Sequence, residues 1–212
     1  MSSDNATCPE PVLRTPQRQR GRDRVAGLMA AAASLFVEKG YDAATMTEIA
    51  ARAGASIGSL YLFFPTKLAL AQAMVMQLAD HLSARLDSLQ DRAKGRTAAA
   101  VADALLEELA GFLTAHPVYG VLIDLPGDDT WKQSVRTRRR NQIVALFEQS
   151  CPRLPGGQPE RLAVIMPQLM RMVMALSGDA TPPREAVMQE LRAMLRHHLE
   201  WPVRRQSTDE PA

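Results

Sequence analysis

The amino-acid sequence predicts an all-α protein of two unequal parts, an N-terminal three-helix unit and a larger C-terminal helical domain. Three observations carry that prediction. Apolar residues recur at three- and four-residue spacing along most of the chain, alternating strand patterns are nearly absent, and aromatics make up only 5% of residues beside abundant Ala, Leu and Met. A chain of 212 residues is long enough to bury a substantial core.

Residues 1–21 are polar and broken by Pro9, Pro11 and Pro16, so they read as a disordered basic arm. The first helix spans Arg22 to Lys39, where Val25, Leu28, Met29, Ala32, Leu35 and Phe36 form a core stripe and Gly40 ends it. Thr45 is an N-cap for the second helix, with Glu48 in the capping-box position and Ile49, Ala50 and Ala53 on its apolar face. Gly54 stops that helix by adopting the left-handed conformation, and Ser56 caps a short third helix, Ile57 to Phe63. Pro65-Thr66 is a stop followed by a new cap, which closes the first domain at 22–66 and opens the second at 67–212. There the breaks at Gly95, His116-Pro117, Pro126-Gly127 and the loop Pro152 to Pro159 delimit helices over 67–92, 97–115, 118–125 and 129–149. A final pair covers 160–177 and 183–201, with Pro183 at the start of the second.

Two short helices joined by a tight glycine turn make a helix-turn-helix, whose second helix lies in a DNA major groove while the first crosses the backbone. Ile57 to Phe63 contains no acidic residue, which suits an element held against a polyanion. Net charge is only +2, so the chain as a whole is no general nucleic-acid glue. Its distribution is informative: Arg14, Arg18, Arg20, Arg22 and Arg24 crowd the start, and Asp103, Glu107, Glu108, Asp124, Asp128 and Asp129 load the middle. Base-edge candidates are Ile57 for a thymine methyl, Gly58 for close backbone approach and Ser59 for a hydrogen bond. Thr45, Thr47 and Ser56 stand at helix N-termini, where hydroxyls and amides bind phosphate. Arg18 and Arg20 can reach phosphates or a minor groove, or can form a solvated tail.

Thr45, Glu48, Ile49, Ala50, Ala53, Gly54, Ser56, Gly58, Ser59, Leu60, Tyr61, Phe64, Thr66 and Lys67 stand at the spacing of the tetracycline-repressor-like (TetR) family's DNA-binding pattern, and this segment resembles that family. Leu28, Met29, Ala31, Ala32, Leu35, Phe36, Glu38, Gly40 and Tyr41 extend the resemblance to its first helix. The resemblance implies phosphate contacts for Tyr61 and Lys67. Phe63 stands where the family commonly has His or Tyr, and Leu68 where it has an acid, so Phe63 either touches a sugar or methyl or joins the core.

The resemblance also implies an effector pocket within Lys67 to Ser177 and dimerisation through the last two helices. An apolar ligand site would draw on Met74, Leu105, Leu109, Phe112, Trp131, Met166 and Met170, although methionine at helical spacing equally describes plain core. Leu162, Ile165, Leu169, Met172 and Leu176, with Val187, Leu191, Met194 and Leu195, form two stripes that suit a four-helix dimer bundle or an internal core. The basic run Arg136, Arg138, Arg139 and Arg140 reads either as an anion site, for an acyl thioester among others, or as a solvated helix face.

Cys8 and Cys151 provide no disulfide framework, and His81, His116, His197 and His198 lack metal-ligand spacing, so no cofactor or metal is expected. No catalytic motif is present, and the apolar run Leu28 to Val37 is too short to span a bilayer. The expected protein is a cytoplasmic homodimer without catalytic activity or membrane partner. It regulates transcription from double-stranded palindromic DNA, as a repressor released by a small, mostly apolar effector. The alternatives are a DNA-binding regulator that senses a protein partner, and a helical ligand-binding protein without an operator.

Overall fold

The computed structural model describes residues 17–123, 125, 130–176 and 183–208, with side chains from residue 19 to residue 200 within them. Cys8, the Pro126-Gly127 stop and the arm up to residue 16 lie outside the described residues. Those residues form nine helices and no strand: α1 (Gln17–Ala43), α2 (Met46–Arg52), α3 (Ile57–Phe63), α4 (Lys67–Ala93), α5 (Ala98–Ala115), α6 (Pro117–Ile123), α7 (Thr130–Ser150), α8 (Gln158–Met174) and α9 (Arg184–Thr208).

Several boundaries differ from expectation. Helix α1 starts at Gln17 rather than Arg22, and the Gln19 side-chain amide donates to Asp23 Oδ1 at 2.9 Å one turn on. Gly40 breaks the helical path with φ of 82°, as expected, yet one more turn follows to Ala43. Helix α8 begins at Gln158, where Gly157 takes the left-handed conformation and Pro159 occupies the first turn, and α9 runs on past Trp201 to Thr208.

Leu28, Leu35 and Phe36 of α1, Ile49 of α2 and Leu60 of α3 are buried together and continue into Leu70 and Val75 of α4. The same core runs on through Leu105, Leu109 and Phe112 of α5, Phe147 of α7 and Met166 and Met170 of α8. Helix α4 therefore belongs to both halves, packing on α5 and α7 beyond the DNA-binding unit. Helix α6 rests on α1 as well as on α4 and α5, a second bridge between the halves.

Candidate nucleic-acid interface

Helix α2 is capped as its sequence requires. The Glu48 amide donates to Thr45 Oγ1 at 3.2 Å, and the Thr45 amide donates back to Glu48 Oε2 at 3.0 Å, which satisfies two of the orphan donors at the helix start. At its far end Gly54, with φ of 61°, closes a Schellman motif: the Ala55 amide bonds the Ala50 carbonyl at 2.9 Å and the Gly54 amide the Ala51 carbonyl at 3.1 Å. Ion pairs fasten both ends of α2 to α1, Lys39 to Glu48 and Arg52 to Glu38.

The Lys39 and Thr45 hydrogen bonds hold the Glu48 carboxyl down at about 2. A pKa lowered on folding contributes stability that is complete above the ordinary value of 4.5 and is lost as pH falls through about 2. Glu48→Gln is therefore expected to flatten the decline of the thermal midpoint across that window. A slope equal to that of the parent chain would remove Glu48 from the acid sensitivity.

Helix α3 is started by Ser56, whose hydroxyl accepts from the Ser59 amide at 3.2 Å. Leu60 anchors it, fully buried, and Phe63 is half-buried against the core beside Val25 and Met29. Phe63 thus takes the packing alternative. The outer face presents Ile57, Gly58, Tyr61 and Leu62, the last 80% exposed. Leu62 was not foreseen as a surface contact, because an apolar residue in a short helix reads as core until the helix is oriented. Ser59 is partly exposed and accepts from Arg24 of α1 at 3.2 Å, so a guanidinium borders the same face. Thr47 is exposed at the start of α2, and the Thr45 hydroxyl is engaged by Glu48.

Lys67 is held at the turn between α1 and α2. Its ammonium donates to the carbonyls of Tyr41 at 2.8 Å, Asp42 at 3.1 Å and Ala44 at 2.9 Å, and lies 4.4 Å from the centre of the Tyr41 ring. All three donors are spent on the α1–α2 turn. Lys67 thereby ties the start of α4 to that turn.

In the C-terminal domain, Met74, Leu105, Leu109, Phe112, Met166 and Met170 are buried, and Trp131 is half-buried. None of them lines the cavities found. Those cavities lie on the flank where α4 meets α7: an open groove of about 770 Å³ past Gln90, Asn141 and Gln142, and a narrow cleft of about 50 Å³ lined in part by Tyr119 of α6. A further cleft, of about 730 Å³, lies at the end away from α3, between Ala99, Cys151, Leu154 and Leu199. The side chains of Met74, Leu105, Leu109, Phe112, Met166 and Met170 belong to the hydrophobic core that runs through both halves of the chain.

The two apolar stripes divide. Leu162, Leu191 and Leu195 are buried within the chain, and Leu169, Leu176 and Val187 are half-buried. Ile165 at 46%, Met172 at 60% and Met194 at 62% exposure face outward, joined by Val164.

Residues 28–74 match the bacterial regulatory proteins of the tetR family, and residues 97–199 match the tetracyclin repressor-like C-terminal domain. The chain belongs to the TetR family. It is 45% identical over 60 residues to the HTH-type transcriptional activator FasR of Mycolicibacterium smegmatis, a match that spans 28% of this chain and only 27% of that protein. Among solved structures it is similar to AibR in complex with isovaleryl coenzyme A and operator DNA, with a TM-score of 0.65 at 17% identity over 81% of this chain and 97% of that one. It is also similar to FadR of Bacillus subtilis in complex with stearoyl-CoA, with a TM-score of 0.59 at 14% identity over 82% and 95% of the two chains. At these identities the structural likeness shows the shared TetR fold. TetR proteins are DNA-binding transcription regulators, and α2, the Gly54 turn and α3 are the element through which the family binds DNA. Among the described residues no single helix is long and apolar enough to cross a membrane.

Proposed function

We propose that this TetR-family chain acts as a homodimer on a palindromic operator and represses transcription until a small molecule enters its C-terminal domain. The observation that carries the DNA half is the outer face of α3: Ile57, Gly58, Tyr61 and Leu62 are exposed, no acid is among them, and the helix is held by its Ser56 cap and buried Leu60. Such a face reads mostly thymine methyls and backbone, so one copy discriminates weakly and two copies are needed. Support for an effector comes from the complexes of AibR and FadR with acyl-CoA thioesters. Phosphate contacts fall to Tyr61, Thr47 and the arginines Arg20, Arg22 and Arg24 rather than to Lys67.

The test is selection of bound genomic fragments by the purified chain at physiological salt, followed by titration of the best site. A palindrome is the expected product. Leu62→Ala should leave stability within about 0.5 kcal/mol, as for an exposed site, while lowering operator affinity. Salt-sensitive binding indifferent to sequence would defeat the operator reading. A second reading, activation, is favoured by the 45% identity with the activator FasR. Transcription in vitro from the selected site decides the sign.

A further inference from the structure

The four arginines of α7 do not share one environment. Arg136 and Arg140 are exposed, and Arg138 pairs with Asp80 of α4 at 2.6 Å on the surface. Arg139 instead lines the narrow cleft between α4, α6 and α7, together with Tyr119. The Tyr119 ring is 2% exposed, and its hydroxyl is buried without a completed hydrogen bond even though it faces the Arg139 guanidinium. Burial pushes the Tyr119 phenol up, and burial also pulls the Arg139 guanidinium down, with Arg171 and Arg136 adding like charge. Asp80 shares the cavity wall but is engaged by Arg138. Among the described residues no carboxylate pairs with Arg139.

A desolvated guanidinium with no carboxylate paired to it among the described residues is a costly arrangement in a folded protein. A bound anion would offset that cost, and an unpartnered phenol is a ready second donor to it. The cavity of about 50 Å³ exceeds the space of one water and is close to that of a single carboxylate or phosphate headgroup. It shares Ser134, Arg138 and Gln142 with the open groove of about 770 Å³, which leaves room for the remainder of a ligand. We propose that Arg139 and Tyr119 form an oxyanion subsite that receives the carboxylate or phosphate end of the effector, the rest of which lies in the α4–α7 groove. This rests on the reading of the chain as an effector-responsive regulator. Tyr119 lies on α6, which packs against α1, and Ser83 brings α4 to the same cavity, so an anion held here acts on both helices that bridge the two halves.

The test uses the full chain with three probes: hexanoate, its neutral analogue hexanamide, and inorganic phosphate. Thermal midpoints are compared for the parent, Arg139→Met and Tyr119→Phe. An anion present at a hundred times its dissociation constant should raise the parent midpoint by roughly 5–10 °C. Hexanamide should not raise it, Arg139→Met should abolish the shift, and Tyr119→Phe should reduce it. Unliganded Arg139→Met should melt no lower than the parent, which separates a lost site from a damaged fold. A shift with hexanoate alone assigns a carboxylate, and one with phosphate alone a phosphate ester. Equal shifts with hexanamide, a shift that survives Arg139→Met, or no shift with either anion overturns the subsite. Operator titration separates the two readings. An anion that binds through Arg139 without changing operator affinity upholds the subsite and defeats the effector reading, whereas a ligand that releases the operator equally from Arg139→Met does the reverse.

Discussion

Replacing Lys67 by alanine is expected to destabilise the chain by about 1.5–3 kcal/mol, the range of hydrogen bonds made by a charged group, and to weaken operator binding through that loss of structure. The three acceptors are the carbonyls of Tyr41, Asp42 and Ala44, at the point where α1 ends and the chain turns into α2. Carbonyls at a helix end carry partial negative charge and lack intrahelical partners, so an ammonium there satisfies both needs at once. The contacts to Tyr41 and Ala44 are partly buried, and water cannot fully replace the donor. Because α4 starts at Lys67, the same residue fixes the angle at which the DNA-binding unit leaves the larger domain. A phosphate ligand would behave otherwise: its removal would leave the thermal midpoint alone and lower the salt slope of operator binding by about one. Measuring the midpoint and the salt slope of Lys67→Ala together distinguishes the two, and an unchanged midpoint would return Lys67 to the DNA.

Local chemistry made the DNA-binding unit legible from sequence. Thr45, Ser56 and Thr66 each cap the helix they precede, Glu48 completes a capping box, and Gly54 has the left-handed backbone its turn requires, all decided within three or four residues. What escaped was decided at longer range. Lys67 meets the α1–α2 turn across more than twenty positions, and no local pattern signals that contact. Arg139 sits in a basic run whose composition suggests a solvated face, but the helical twist carries Arg138 outward to Asp80 and Arg139 inward to Tyr119. Methionine content suits an adaptable cavity and plain core alike, and Met74, Met166 and Met170 are buried in the core. Cavities depend on how whole helices meet, which periodicity does not encode.

Ile165→Asp combined with Met172→Asp is expected to convert a dimer into a monomer and to cut operator affinity by about 10²–10⁴-fold, the range lost when linked half-sites are uncoupled. Ile165 and Met172 lie two helical turns apart on α8, with exposures of 46% and 60%, and Met194 of α9 continues the patch at 62%. A cluster of large apolar side chains left outside one chain's core is the kind of surface that a symmetric partner covers. Two carboxylates placed at its centre must either be desolvated opposite each other or keep the subunits apart, and the second costs less. The same substitution at Leu162, 3% exposed on the same helix, would place a charge in the protomer core and unfold it, so the comparison separates association from folding. Sedimentation of the parent should give twice 23.2 kDa and that of the double variant 23.2 kDa, with helical content unchanged. If the double variant still sediments as a dimer with full operator affinity, the subunits meet elsewhere and the exposed face of α8 needs another partner.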